Sequence, residues 1–282
     1  MHFDRVLMVQ EDASVGESLA RLLERKDRRL KAVTDVPKAL DLLRAERFDL
    51  VVAGQARNGT DTMSLLQRLQ AVRPSTKVIL TGEPNPSRAI SAVRAQAYGY
   101  LHQPFSGSLV AEMVQQALTA SSWREDIHIL SGRPEWFTMD VRCRMEAAER
   151  ATHLARELAS DLEAAVCEDV TAAFRELLLN GIEHGGRSNR LKHVRVSVLR
   201  TSQAIMVHMR DPGKGFSFEK IAHAAVSNPE DLPTLHAEIR EQRGQRPGGF
   251  GILMASRLVD QLLYNERGNE VFFVKRHPDV TS

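Results

Sequence analysis

Glu176, Asn180 and His184 recur at four-residue spacing in the stretch Arg175-Glu-Leu-Leu-Leu-Asn-Gly-Ile-Glu-His-Gly-Gly186, and two glycine-rich turns follow, Asp211-Pro-Gly-Lys-Gly-Phe216 and Pro247-Gly-Gly-Phe-Gly-Ile252. A helix turns once per about 3.6 residues, so this spacing predicts a carboxylate, an amide and an imidazole on one face, backed by Leu177, Leu178, Leu179 and Ile182. Each polar group has a use at a nucleotide. The Asn180 amide oxygen is a hard ligand suited to Mg²⁺, and such a metal bridges phosphate oxygens. Glu176, one turn earlier, could orient or deprotonate an incoming hydroxyl or water. Asp211 can accept a hydrogen bond from an exocyclic amine, which adenine has and guanine lacks at that edge. Gly213 and Gly215 would let the backbone pass beside a base, and Gly248, Gly249 and Gly251 would free main-chain N–H groups for phosphates at a helix start. His184 could contact ribose or phosphates, or cap its own helix at Gly185-Gly186. Each turn alone is commonplace, but their ordered succession points to a nucleotide pocket.

The elements that must position these groups read as α+β. Helices are expected over residues 143–158 and 164–184, strands over 193–199 and 204–209, and a helix over 252–260. A closing hairpin, 261–266 and 270–275, surrounds Arg267-Gly-Asn269, and the long polar segment 217–246 between the two glycine turns would serve as a lid. Helices would pack on one face of a mixed or antiparallel sheet. Upstream, apolar runs at 6–9, 50–53, 77–80 and 99–101 alternate with helical patterns at 14–23, 62–69, 87–95 and 106–118, which predicts an α/β domain with a parallel sheet. Ser14, three residues before Glu17, has the form of a capping box. The periodicity breaks after Thr119, and Ser131-Gly-Arg-Pro134 supplies turn chemistry, so a first domain over 1–120, a linker over 121–134 and a second domain over 135–282 are expected.

Composition narrows the function classes. With 282 residues, 43% apolar and 26% charged, the chain can hold two soluble domains, each with its own core. The net charge of +2 implies no direct nucleic-acid partner, and the cluster Arg25-Lys-Asp-Arg-Arg-Leu-Lys31 reads as a solvated helix end. No apolar run reaches bilayer length and no signal-peptide stretch opens the chain, which predicts a cytoplasmic protein without membrane contact. Cys143 and Cys167 lack CxxC spacing and are expected to be reduced packing residues, not a disulfide or a zinc site.

Residues 1–120 resemble a two-component receiver domain, which implies a flavodoxin-like fold. The family gathers an acidic pair after its first strand to hold Mg²⁺ and a phospho-accepting Asp at the end of its third. Here Glu11 and Asp12 follow Gln10, and Asp49-Leu-Val-Val-Ala-Gly54 places Gly54 where the acceptor belongs. Thr81 matches the switch position, whereas Gln103, before Pro104, replaces the expected Lys. Glycine has no side chain to phosphorylate. Without the acceptor carboxylate and its cation, the resemblance implies a scaffold or docking module, with residues 106–118 as a plausible homodimer interface.

Residues 135–282 resemble the GHKL ATPase superfamily, and within it the serine-kinase anti-sigma factors. The N box is matched by Glu176, Asn180 and His184-Gly185, the first glycine box by Asp211, Gly213 and Gly215, and the second by Gly249 and Gly251. The resemblance implies a Bergerat-type sandwich with ATP and Mg²⁺ as ligands, Asn180 on the metal and Glu176 as the catalytic residue. It further implies phosphorylation of a serine on a STAS-domain antagonist, with sigma-factor binding as the output. Phe250 stands where a small or aliphatic residue is usual, and the segment between the boxes is longer and more polar than a compact lid. His223, His236, Glu238 and Glu241 there lack metal-ligand spacing and read as a solvated helix, while Lys214 and Arg246 could touch phosphates. Three functions follow: an ATP-dependent serine kinase, an ATP-binding adaptor or sensor without phosphotransfer, and a histidine-kinase relic using His153, whose neighbours lack the acid usual in such a box.

Overall fold

The chain divides into two units, Met1–Arg124 and Glu125–Ser282. The structure, a computed structural model, describes residues 3–54, 62–133, 135–215 and 251–278. In the first unit, β1 (Asp4–Val9), β2 (Arg28–Val33), β3 (Leu50–Ala53), β4 (Lys77–Gly82) and β5 (Gly99–His102) form one parallel sheet in the order β2-β1-β3-β4-β5. The central strand β3 is buried at every position, as a parallel strand covered on both faces requires. Side chains of one parity, Val6, Met8, Leu50, Val52 and Ile79, share a core with α1 (Ala13–Leu23) and α5 (Gly107–Thr119), which contribute Leu19, Leu23, Val110, Met113 and Val114. Helices α2 (Val36–Ala45) and α3 (Thr62–Val72) pack together, and α4 (Pro86–Arg94) packs on β5.

Local chemistry sets where these helices begin. Asp12, not Ser14, caps α1, accepting from the Ser14 and Val15 N–H groups, so the predicted capping box is replaced by an Asp cap two residues earlier. Asp35 caps α2 and Asn85 caps α4, each ahead of a Pro in the first turn. The basic cluster at 25–31 is not a helix end. Its second part is β2, an edge strand whose Arg28 is buried and donates from Nη1 to Leu23 O at 2.9 Å. Charged side chains on an edge strand hide the alternation that would reveal it.

The second unit is built on a six-stranded antiparallel sheet, β10-β11-β9-β8-β7-β6. Its strands are β6 (Ile127–Gly132), β7 (Trp136–Arg142), β8 (His193–Arg200), β9 (Ala204–Arg210), β10 (Gln261–Tyr264) and β11 (Glu270–Arg276). Alternate residues are buried, with Phe137, Met139 and Val141 on β7, Val194, Val196 and Val198 on β8, and Ile205, Val207 and Met209 on β9. The helices are α6 (Met145–Leu158), α7 (Ala164–Asn180) and α8 (Gly251–Leu258), and α7 packs against both others.

Residues 121–133 of the expected linker are structured. Trp123, 4% exposed, packs edge-on against Tyr98 at 5.7 Å in the first unit, and β6 begins four residues later as the sheet's edge strand. Asp126 anchors that strand: its carbonyl accepts from Arg142 N–H at 2.9 Å and its buried carboxylate lies 3.3 Å from Arg144. Desolvation raises the Asp126 pKa, opposed chiefly by Arg150 and Arg144. Cys143 and Cys167 are free and buried. No helix among the described residues is long and apolar enough to cross a membrane.

Candidate functional site

Helix α7 holds its α geometry only to Asn180. The chain then opens into a π turn, Gly181–Gly185, closed by the Gly186 N–H donating to Gly181 O at 2.7 Å. This wider turn ends the four-residue stacking predicted for the triad. Glu176 and Asn180 stay one turn apart and converge on the start of α8: a Cβ placed on Gly251 would lie 2.8 Å from Glu176 Oε2 and 3.4 Å from Asn180 Nδ2. His184 lies in the π turn and is exposed, so the structure brings together two of the three residues and not the third.

Asp211 follows β9, its N–H donating to Asn269 O at 3.0 Å. Its Oδ1 accepts from Gly213 N–H at 2.7 Å, and a Cβ on Gly185 would run into the same carboxylate. A Cβ on Gly213 would lie 2.8 Å from Gly185 Cα, so the loop and the π turn interlock only because both positions are glycine. Burial pushes the Asp211 pKa up, while the Gly213 hydrogen bond, Arg267 and Lys192 pull it down. Gly215 has φ +81, and a Cβ there would overlap the Arg267 carbonyl, while Arg267 Nε donates to Lys214 O at 3.2 Å. The loop is thereby fastened to the β10–β11 turn. Lys214 itself is exposed.

Asn180 Nδ2 is buried and makes no hydrogen bond among the described residues. Buried polar groups are normally paired, so an amide donor without a partner among the described residues fits an external hydrogen-bond acceptor. Glu176 is held from one side: Arg175 Nη1 lies 3.6 Å from Glu176 Oε1, and Arg175 Nη2 donates to Glu149 Oε1 at 2.9 Å. His153 is buried in α6, where desolvation, then Arg156, pushes its pKa down to about 4. Cys143 lies against Gly186, and burial pushes its thiol up to about 11. No group of three or more His, Cys, Asp or Glu suited to a metal occurs among the described residues. Gly248, Gly249, Phe250, Arg246 and the predicted lid at 217–246 lie outside the described residues.

In the first unit, the C-terminal ends of β1, β3 and β4 bring Gln10, Gly54 and Thr81 to one edge of the sheet. Gln10 is 5% exposed and Thr81 fully buried, and a Cβ on Gly54 would fall on Gln10 Oε1. The Asp12 carboxylate is engaged as the α1 cap. Gln103 is half-buried, ahead of a cis peptide to Pro104.

Comparison with known proteins assigns both units. Residues 6–115 match the family model of the response regulator receiver domain, and residues 141–275 match that of the histidine kinase-like ATPase domain. The chain joins a receiver domain to a histidine kinase-like ATPase domain. It is similar to the transcriptional regulatory protein FixJ of Bradyrhizobium diazoefficiens, 27% identical over 40% of this chain and 56% of that protein. It is also similar to the response regulator protein FleR of Pseudomonas aeruginosa, 31% identical over 39% of this chain and 24% of that protein. The chain thus spans about half or less of the length of these curated relatives. Among solved structures it is similar to the receiver domain of NtrX from Brucella abortus, with 23% identity, 41% of this chain and 99% of that chain covered, and a TM-score of 0.38. The chemotaxis response regulator CheY4 of Vibrio cholerae matches with 19% identity over 41% and 99% of the two chains and a TM-score of 0.37.

The ATPase domain implies ATP as its ligand, and the described residues fit it: an uncommitted buried amide at Asn180, a half-buried carboxylate at Asp211, and glycines wherever these groups meet backbone. Sequence reasoning missed Gly181, whose missing side chain lets the π turn sit against Val194 and Asp211, at 3.3 Å and 3.5 Å from where its Cβ would be. It also missed Arg175 and Asn269. The Arg175-Glu176 adjacency was visible, but neighbours along a helix do not ordinarily face one another. The receiver's missing acceptor was legible; that Gln10 fills its place was not.

Proposed function

We propose that the chain is an ATP-dependent serine protein kinase of the anti-sigma-factor type, acting on a STAS-domain partner and thereby on a sigma factor, with the receiver as a docking module that takes no phosphate. The observation that supports this most is the convergence of Glu176 and Asn180 on Gly251, in a domain whose Asp211 is locked against Gly185 and Gly213. Asp211 accepts from the exocyclic amine of the base, and the loop through Gly215 keeps that carboxylate in register. Asn180 supplies an amide oxygen to Mg²⁺. Bound Mg-ATP provides the electrophilic phosphorus and the leaving group. Glu176, one turn from Asn180, takes the proton of the incoming serine hydroxyl on a carboxylate oxygen. A nucleotide sensor would need Asn180 and the glycine turns but not Glu176.

One observation favours the adaptor reading, an ATP-dependent change of partner affinity without transfer. Arg175 Nη1 stands 3.6 Å from Glu176 Oε1, so one of the two carboxylate oxygens is already engaged by a cation. The histidine-kinase relic finds no support, because His153 is buried in α6 and its pKa is pushed down to about 4 by that burial. The deciding experiment incubates the full chain, wild type and Glu176→Ala, with radiolabelled ATP and candidate STAS-domain proteins. Label on a partner serine that vanishes in the variant is the expected result. Nucleotide binding with no transfer by the wild type would instead establish the adaptor, and label on His153 would overturn both.

A further inference from the structure

We propose that Gln10 fills the receiver's acceptor position from within, its amide standing where a side chain at residue 54 would stand, and so holds that end of the sheet in one state without phosphate or metal. This rests on the reading of the receiver as a module that takes no phosphate. The backbone on both sides is pinned: Gln10 N–H donates to Val33 O at 3.0 Å, and Gly54 N–H donates to Val9 O at 2.9 Å. From there the Gln10 side chain crosses beside α1, where a Cβ on Gly16 would lie 3.7 Å from Gln10 Cγ, and ends over Gly54. A Cβ on Gly54 would fall on Gln10 Oε1, 2.5 Å from its Cδ and 3.0 Å from its Nε2. The whole amide therefore occupies the acceptor's space.

The chemistry of the edge agrees. Thr81 follows Leu80, which pairs with Ala53, so Gly54 lies between Gln10 and Thr81. Gln10 Oε1 and Thr81 Oγ1 are both buried and make no hydrogen bond among the described residues. A carbonyl acceptor and a hydroxyl donor, kept buried on either side of a glycine, offer a divalent cation no carboxylate at positions 10, 54 and 81, and the neighbouring Asp12 carboxylate is engaged as the α1 cap. A side chain at residue 54 and the Gln10 amide therefore compete for one place, which couples the glycine at 54 to the amide at 10.

The test is a double-mutant cycle in the full chain between Gln10→Ala and Gly54→Ala, with denaturation followed by fluorescence of Trp123, which is 4% exposed, against Trp136, which is 65% exposed. Gly54→Ala should lower the receiver's folding equilibrium constant about tenfold or more with Gln10 in place and only about threefold or less beside Gln10→Ala. If Gly54→Ala does not fold, recovery of the fold in the double variant is the supporting result, and its failure to recover the opposing one. Additive effects overturn the proposal alone. Label from acetyl phosphate and Mg²⁺ on the wild-type receiver overturns the non-phosphorylatable reading, and this proposal with it.

Discussion

At the sheet edge of the receiver, Gly54 makes room for a neighbouring uncharged side chain, and the position where chemistry would occur is closed. In the ATPase domain, Gly185 and Gly213 make room for the carboxylate of Asp211, and Gly251 for the carboxylate of Glu176 and the amide of Asn180. The same residue type therefore stands against an uncharged amide in one unit and against carboxylates in the other. What separates the two cases is the partner that enters the vacated space. The buried parity of β1, β3 and β4 packs the receiver's core below the strand ends where Gln10, Gly54 and Thr81 lie.

The largest effect is expected where the comparison is sharpest. Asp211→Asn should weaken ATP binding by about 2–3 kcal/mol, roughly 30- to 150-fold, while Gly54→Ser leaves it unchanged; equal effects in a titration of nucleotide would erase the contrast between the units. Acid sensitivity comes next. The folded-state pKa of His153 is about 4 against 6.5 in the unfolded chain, so the stability tied to its neutral form is complete above pH 6.5 and is lost as pH falls toward and through 4. A loss on the order of 3 kcal/mol between these limits, confined to the ATPase domain and abolished by His153→Leu, is expected in denaturation curves. Gly185→Ala, whose new methyl would meet the Asp211 carboxylate, should cost about 1–2 kcal/mol in the ATPase domain and leave Trp123 fluorescence midpoints alone. The smallest effect is at Arg44, paired with Asp41 at 2.8 Å on the receiver surface: Arg44→Ala should change stability by less than about 0.5 kcal/mol.

Periodicity made the receiver's core strands and most of the ATPase strands legible, since buried parallel runs such as Leu50-Val-Val-Ala53 and alternating ones such as those of β8 differ in pattern. Two edge strands, β2 and β6, escaped. β2 is masked by arginines and lysine and has the pattern of a helix end, and β6 is masked by turn residues and has that of a linker. β7 carries a strict alternation, Trp136-Phe-Thr-Met-Asp-Val-Arg142, and was overlooked because it adjoins that supposed linker. At the site, Glu176, Asn180 and Asp211 were found from type and spacing, whereas the exposure of His184 depends on a π turn that spacing cannot show. Contacts between residues far apart in sequence, Gln10 with Gly54 and Asp211 with Gly185, are set by the tertiary fold and leave no periodic trace.

The central claim is that nucleotide chemistry resides in the ATPase domain alone and is organised around Asp211 and Asn180. Calorimetric titration of Mg-ATP into the full chain tests it most directly, with Asp211→Asn and Asn180→Ala as controls. One nucleotide per chain is expected for the wild type, with binding weakened by at least about 30-fold in both variants and the receiver still folded. Wild-type affinity retained in both variants, or no binding by the wild type, would contradict it.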